Sequence, residues 1–224
     1  MNNYNLINCD SDGACFGKNN EDVDIKEIKK LLKEFNNIIP EGIEVEFELL
    51  MPALVVSKSK NYAFVDTEGK VTIKGSGFKS SSKEIALKEM CEVMLKSMLG
   101  LVEESPVDIY HRYVAEAANI KDINRWTSKT TYTSSVVKEG RLQEKKKKRA
   151  AEGLNLSIGD KYYTYIKADE WLGNPDQYNG TYHVEKYVKK VHNAAKTLAS
   201  VIDIKQFPNY GLKGNKEKLQ QLTG

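Results

Sequence analysis

Residues 4–18 read YNLINCDSDGACFGK, two short apolar runs enclosing the pair Asp10 and Asp12. Tyr4–Asn8 and Ala14–Gly17 suit strands. Cys9-Asp10-Ser11-Asp12-Gly13 has turn chemistry, because Asp and Gly tolerate backbone angles that bulky residues resist. The stretch is therefore expected to be a β-hairpin with both acids at or beside its tip. Residues two apart on an extended strand point to one face, so Asp10 and Asp12 are expected to project together if the backbone stays extended. Two neighbouring carboxylates repel each other, and a divalent cation that prefers oxygen ligands relieves the repulsion. The same spacing also occurs in ordinary surface turns, and the residues alone leave both readings open. An EF-hand calcium loop is excluded, since Ala14 stands where a third oxygen ligand is needed and the glycine is misplaced.

Outward from the hairpin, Asp24 is placed to cap a helix running to about Asn36, with Ile25, Ile28, Leu31, Leu32 and Phe35 at helical spacing. Pro40 and Gly42 end it. Ile43–Leu49 alternates apolar and acidic residues and predicts a strand with one buried face. A second hairpin is expected from Tyr62–Asp66, a Thr-Glu-Gly turn and Lys70–Lys74. Beyond residue 80 the pattern turns helical: 83–99, then 107–118 started by Pro106. A polar segment at 127–135 precedes a helix carrying a basic run to about Glu152, stopped by Gly153. A strand in GDKYYTYIKA and a last helix over Val184–Val201 follow. A weakly ordered tail is expected from about 210, beginning near Phe207. The fold class is α+β, a hairpin-rich part over 1–80 followed by a mainly helical part over 81–224.

The 224 residues are 40% hydrophobic and 29% charged, and no apolar stretch approaches the ~20 residues that span a bilayer. No membrane partner is expected. Cys9, Cys15 and Cys91 form no CxxC pair and no even framework, which points to a reducing cytoplasm. The net charge of +3 conceals an asymmetry. Lys138–Arg149 holds seven basic and two acidic residues, a local +5, so the rest of the chain sums to −2. Such a run is either a solvated helix face or a footprint for phosphates.

Three stretches resemble family B DNA polymerases. YNLINCDSDGACFGK is similar to the Asp-Thr-Asp hairpin of that family's palm, in the DTDG form seen among phage enzymes, with Ser11 for threonine and Gly13 for the serine of cellular members. SKSKNYAFVDTEGKVTIKGSGFKSS resembles the Lys-x-Tyr segment and the Lys-Gly step that follows it, with Ser59 where the family usually has a second lysine. EKKKKRAAEGLNLSIGDKYYTYIKADE, and the helix near the C-terminus, resemble the thumb. The resemblance implies catalytic, metal-binding roles for Asp10 and Asp12 with Mg2+ in a two-metal mechanism. It also implies DNA contacts at Lys60, Tyr62, Lys74, Gly75 and Lys79, and at Lys145, Lys146, Lys148 and Arg149 of the basic run. Residues 1–80 would be the end of the palm and 81–224 the thumb. The implied partners are primer–template DNA and deoxynucleoside triphosphates, in a bacterial or phage-infected bacterial cytoplasm.

In that family another palm aspartate and a nucleotide-binding fingers helix precede the hairpin, and neither is present in these residues. The chain alone is therefore expected not to extend primers, and to need a complementary N-terminal polymerase chain. The competing expectation is a stand-alone, non-catalytic module gripping duplex DNA through Lys60 and the basic run, with the aspartates merely turning a hairpin.

Overall fold

The computed structural model describes residues 4–9, 13–18 and 23–223. The chain divides into two units, Met1–Ile73 and Lys74–Gly224. The sequence pattern had placed the change of character near residue 80.

In the first unit, β1 (Asn5–Cys9) and β2 (Ala14–Gly17) pair antiparallel, Leu6 opposite Phe16 and Cys9 opposite Ala14. The register shifts between Leu6 and Asn8, so Ile7 is the extra residue of a bulge. Helix α1 (Ile25–Asn36) starts where expected, with the Asp24 side chain accepting the Lys26 backbone N–H. It is fastened to the hairpin region by Glu27, whose carboxylate accepts from Tyr4 Oη at 3.0 Å and pairs with Lys18 Nζ at 2.8 Å. Phe16 and Phe35 add a ring contact at 6.4 Å.

The strand expected over Ile43–Leu49 does not form. The alternation is real, but a strand needs a hydrogen-bonded neighbour, and no strand of the described residues pairs with this segment. The pairing begins later, in β3 (Ala53–Lys58), which joins β4 (Asn61–Val65) and β5 (Val71–Lys74) in a three-stranded antiparallel meander. Its core is Ala63, Phe64, Val65 and Ile73. The turn between β4 and β5 is closed by Asp66, whose side chain accepts the backbone N–H groups of Glu68 and Lys70.

The second unit opens with the short α2 (Ser76–Lys79), α3 (Ile85–Met98) and α4 (Pro106–Ala118). Ser105 caps α4 through the Asp108 N–H, and Pro106 occupies its first turn, where no N–H is missed. The polar segment expected at 127–135 contains a strand, β6 (Ser128–Thr131), because threonines suit a pleated edge as well as a loop. The basic helix is broken in two, α5 (Ser134–Lys138) and α6 (Leu142–Ala151), at Glu139, whose φ of 52° is left-handed. Strand β7 (Lys161–Ile166) lies between β6 and β8 (Leu172–Gly173), and α7 (Val184–Ala195) follows. Helix α7 ends earlier than the expected Val201, passing into a 3-10 turn at Lys196–Leu198.

Helices α3, α4 and α7 form the core. Leu87, Met90, Met94 and Leu95 meet Ile109, Tyr110, Val114 and Tyr187, Val188, Val191, all buried. Trp126 is 1% exposed and edge-on to Tyr187. Buried Glu84 binds Lys190 and Ser128, tying together the start of α3, β6 and α7. Where a tail was expected, Phe207 is buried, Tyr110 donates to the Pro208 carbonyl, and α8 (Lys216–Thr223) lies against α4 with Leu219 buried. Gly211 lets the chain between Phe207 and α8 pass close to α7, since a Cβ there would sit 2.5 Å from the Glu185 carbonyl oxygen. Among the described residues no helix is long and apolar enough to cross a membrane.

Candidate nucleic-acid interface

Asp10 and Asp12 lie outside the described residues, so their side chains carry no geometry. Strands β1 and β2 form close to where they were expected, and the register shifts at the Ile7 bulge. Cys9 faces Ala14 and Cys15 faces Asn8, adjacent rungs whose side chains point to opposite faces of the ribbon. The two sulfurs are thereby kept from pairing. Burial, with a contribution from the Glu48 charge, pushes the Cys15 thiol above its ordinary range, so it is not an activated thiolate.

Asn8, two residues before Asp10, donates its side-chain amide to the Ser59 carbonyl at 3.2 Å. Ser59 immediately precedes Lys60 in the tight β3–β4 turn, where Lys58 pairs with Asn61. Strand β1 and the Lys-x-Tyr turn, about fifty positions apart in sequence, are thus adjacent in the first unit. Tyr62 stacks on Phe64 with centroids 6.3 Å apart, the i,i+2 neighbour on one face of β4.

In the second unit, Lys74 and Lys79 are exposed. Gly75 has φ 110° and ψ 141°, a conformation open to glycine, and its carbonyl accepts the N–H groups of Phe78 and Lys79. Buried Phe78 anchors this turn.

The basic run sits on α6. Glu144 accepts the Arg141 backbone N–H and steadies its start. Lys145 is exposed. Lys146 Nζ donates to the Glu170 carbonyl at 2.7 Å, and Lys148 pairs with Glu139. The pair holds the Glu139 carboxyl below its usual range and raises the Lys148 ammonium. Arg149 stacks over Trp171 at 4.7 Å. Behind the run, buried Ala150, Ala151 and Tyr162 fix the helix on β7, and Tyr162 donates to the Lys147 carbonyl at 2.8 Å. Burial pushes the Tyr162 phenol up to about 12. Sequence alone missed Asn8, Glu139, Glu170 and Trp171. Each acts through a turn or an opposing strand that brings distant positions together.

No group of three or more His, Cys, Asp or Glu side chains among the described residues stands close enough to hold a metal ion.

Small antiparallel sheets and packed helices make a mixed α/β chain. Its fold is similar to that in the structure of the family B DNA polymerase from the hyperthermophilic archaeon Pyrobaculum calidifontis, with a TM-score of 0.62 and 19% identity. The match covers 84% of this chain and 26% of the archaeal one, so the chain spans about a quarter of that protein's length. No family model matches the sequence, and no curated protein matches it.

Proposed function

We propose that these residues are the C-terminal palm and thumb portion of a family B DNA-directed DNA polymerase, 1–80 belonging to the palm and 81–224 to the thumb. Asp10 and Asp12 would hold catalytic Mg2+, which would supply Lewis-acid stabilisation of charge on phosphate and hydroxyl oxygens. Lys60 and Tyr62 hold the primer–template backbone beside that turn, Lys74, Gly75 and Lys79 extend the contact, and Lys145, Lys146, Lys148 and Arg149 grip phosphates from the thumb. The remaining metal ligand and the deoxynucleoside triphosphate site lie in a complementary polymerase segment.

The Asn8–Ser59 hydrogen bond carries the proposal. It supports one shared site for the aspartates and Lys60, which a hairpin turned only for packing does not require. The test is primer extension by the chain reconstituted with the segment supplying the rest of palm and fingers. Asp10→Asn is expected to abolish extension and leave duplex binding intact, whereas Lys60→Ala weakens binding. Undiminished extension with Asp10→Asn would reduce the chain to a non-catalytic DNA-gripping module.

A further inference from the structure

The segment EGIEVEFELL, residues 41–50, is an exposed stretch of the first unit in which apolar and acidic residues alternate. Ile43, Val45 and Phe47 are 61%, 42% and 41% exposed, and Glu44, Glu46 and Glu48 are exposed as well. From 43 to 51 the chain runs without a turn or bend. Its backbone is bonded at two places. The Ile43 N–H reaches the Pro40 carbonyl. The Asn36 side-chain amide takes both groups of Val45, accepting its N–H at 2.8 Å and donating to its carbonyl at 3.0 Å.

That second contact decides the geometry. In an extended chain the N–H and C=O of one residue point to the same edge, and successive residues point to opposite edges. Asn36 therefore covers the edge of the odd-numbered residues at Val45, imitating a strand partner. The opposite edge presents the backbone groups of Glu44, Glu46 and Glu48, and among the described residues nothing bonds to them. Exposed edges of this kind are templates for an added strand.

We propose that residues 43–50 form a docking edge for an extended segment of a partner chain in which Lys or Arg alternates with aliphatic residues. The charge pattern selects this occupant. Three carboxylates two positions apart line one face, and none of them has an ion-pair partner among the described residues. The aliphatic residues of the incoming strand cover Ile43, Val45 and Phe47, while its cations face the glutamates. A second copy of this chain is disfavoured, because antiparallel self-pairing sets Glu against Glu. The proposal stands independently of the polymerase reading, since it uses only this edge and its charges.

The test is amide hydrogen exchange on the full chain with the acetylated, amidated heptapeptide Lys-Val-Lys-Val-Lys-Val-Lys, against a control with Glu for each Lys. The basic peptide is expected to slow exchange at Glu44, Glu46 and Glu48 and to bind roughly ten-fold tighter than the acidic one. Glu46→Pro removes the central N–H of the open edge from an exposed segment that the fold does not pair, and is expected to abolish the protection. Equal binding of the two peptides, no protection at millimolar basic peptide, protection that survives Glu46→Pro, or a dimer of the chain formed through this edge would each overturn the proposal.

Discussion

The guanidinium carbon of Arg149 lies 4.7 Å from the centre of the Trp171 ring, which holds the arginine at the exposed end of α6. A planar cation stacked in this way has fewer rotamers to lose when it meets a phosphate. Trp171→Ala leaves every charge in place. It is expected to weaken duplex binding about three-fold with an unchanged salt slope, measured by fluorescence anisotropy. A changed slope would mean that Trp171 acts on the number of phosphate contacts instead.

Under the proposed duplex grip, Glu139 would compete with DNA phosphates for Lys148. Its carboxylate pairs with the ammonium across the break between α5 and α6. Glu139→Gln frees that cation and is expected to tighten duplex binding and steepen the salt slope by about one unit. Unchanged affinity would show that Lys148 faces away from the phosphates.

Lys190 neutralises Glu84, whose side chain is only 6% exposed. Removing one partner leaves a buried carboxylate with little more than the Ser128 hydroxyl for company. Lys190→Met is expected to cost about 3 kcal/mol in denaturant unfolding. Combining it with Glu84→Gln should recover part of the loss, and no recovery would argue that the lysine stem, not its charge, matters.

Burial holds the His192 imidazole below its ordinary pKa of 6.5, Lys196 adds to that effect, and the Phe207 carbonyl partly opposes it. The unfolded chain then takes up its proton at a higher pH than the fold does. The stabilisation is complete above about pH 6.5 and is lost as pH falls below it toward the folded value. The melting temperature should drop between pH 7.5 and 5.5, and His192→Gln should flatten that dependence.

Much of the scaffold was legible because local chemistry and periodicity agree in it. Asp24 before α1, Pro106 in α4 and the Asp66 turn between β4 and β5 each carry their own signal. Strand β3 did not, because Ala53–Val56 is a short apolar run without alternation, which periodicity cannot assign. Ile43–Leu49 failed for the opposite reason: its alternation specifies two faces, yet pairing depends on a neighbour that the described residues do not provide. For the candidate site, the sequence named the basic residues of α6 but not what restrains them. Glu139 and Glu170 reach Lys148 and Lys146 because both adopt left-handed backbone, φ 52° and 67°, which no composition rule anticipates. The link from Asn8 to Ser59 joins strand β1 to the β3–β4 turn and is invisible before the fold is known.

The most direct measurement is the affinity of the full chain for a primer–template duplex as a function of salt, by anisotropy from about 50 to 200 mM. Phosphate contacts from Lys60, Lys74, Lys79, Lys145, Lys146, Lys148 and Arg149 should give a log–log slope of about −6, its magnitude reduced by about one on Lys145→Ala. No binding at the lowest salt, or a slope near zero, would contradict the duplex grip on which the proposed polymerase role depends.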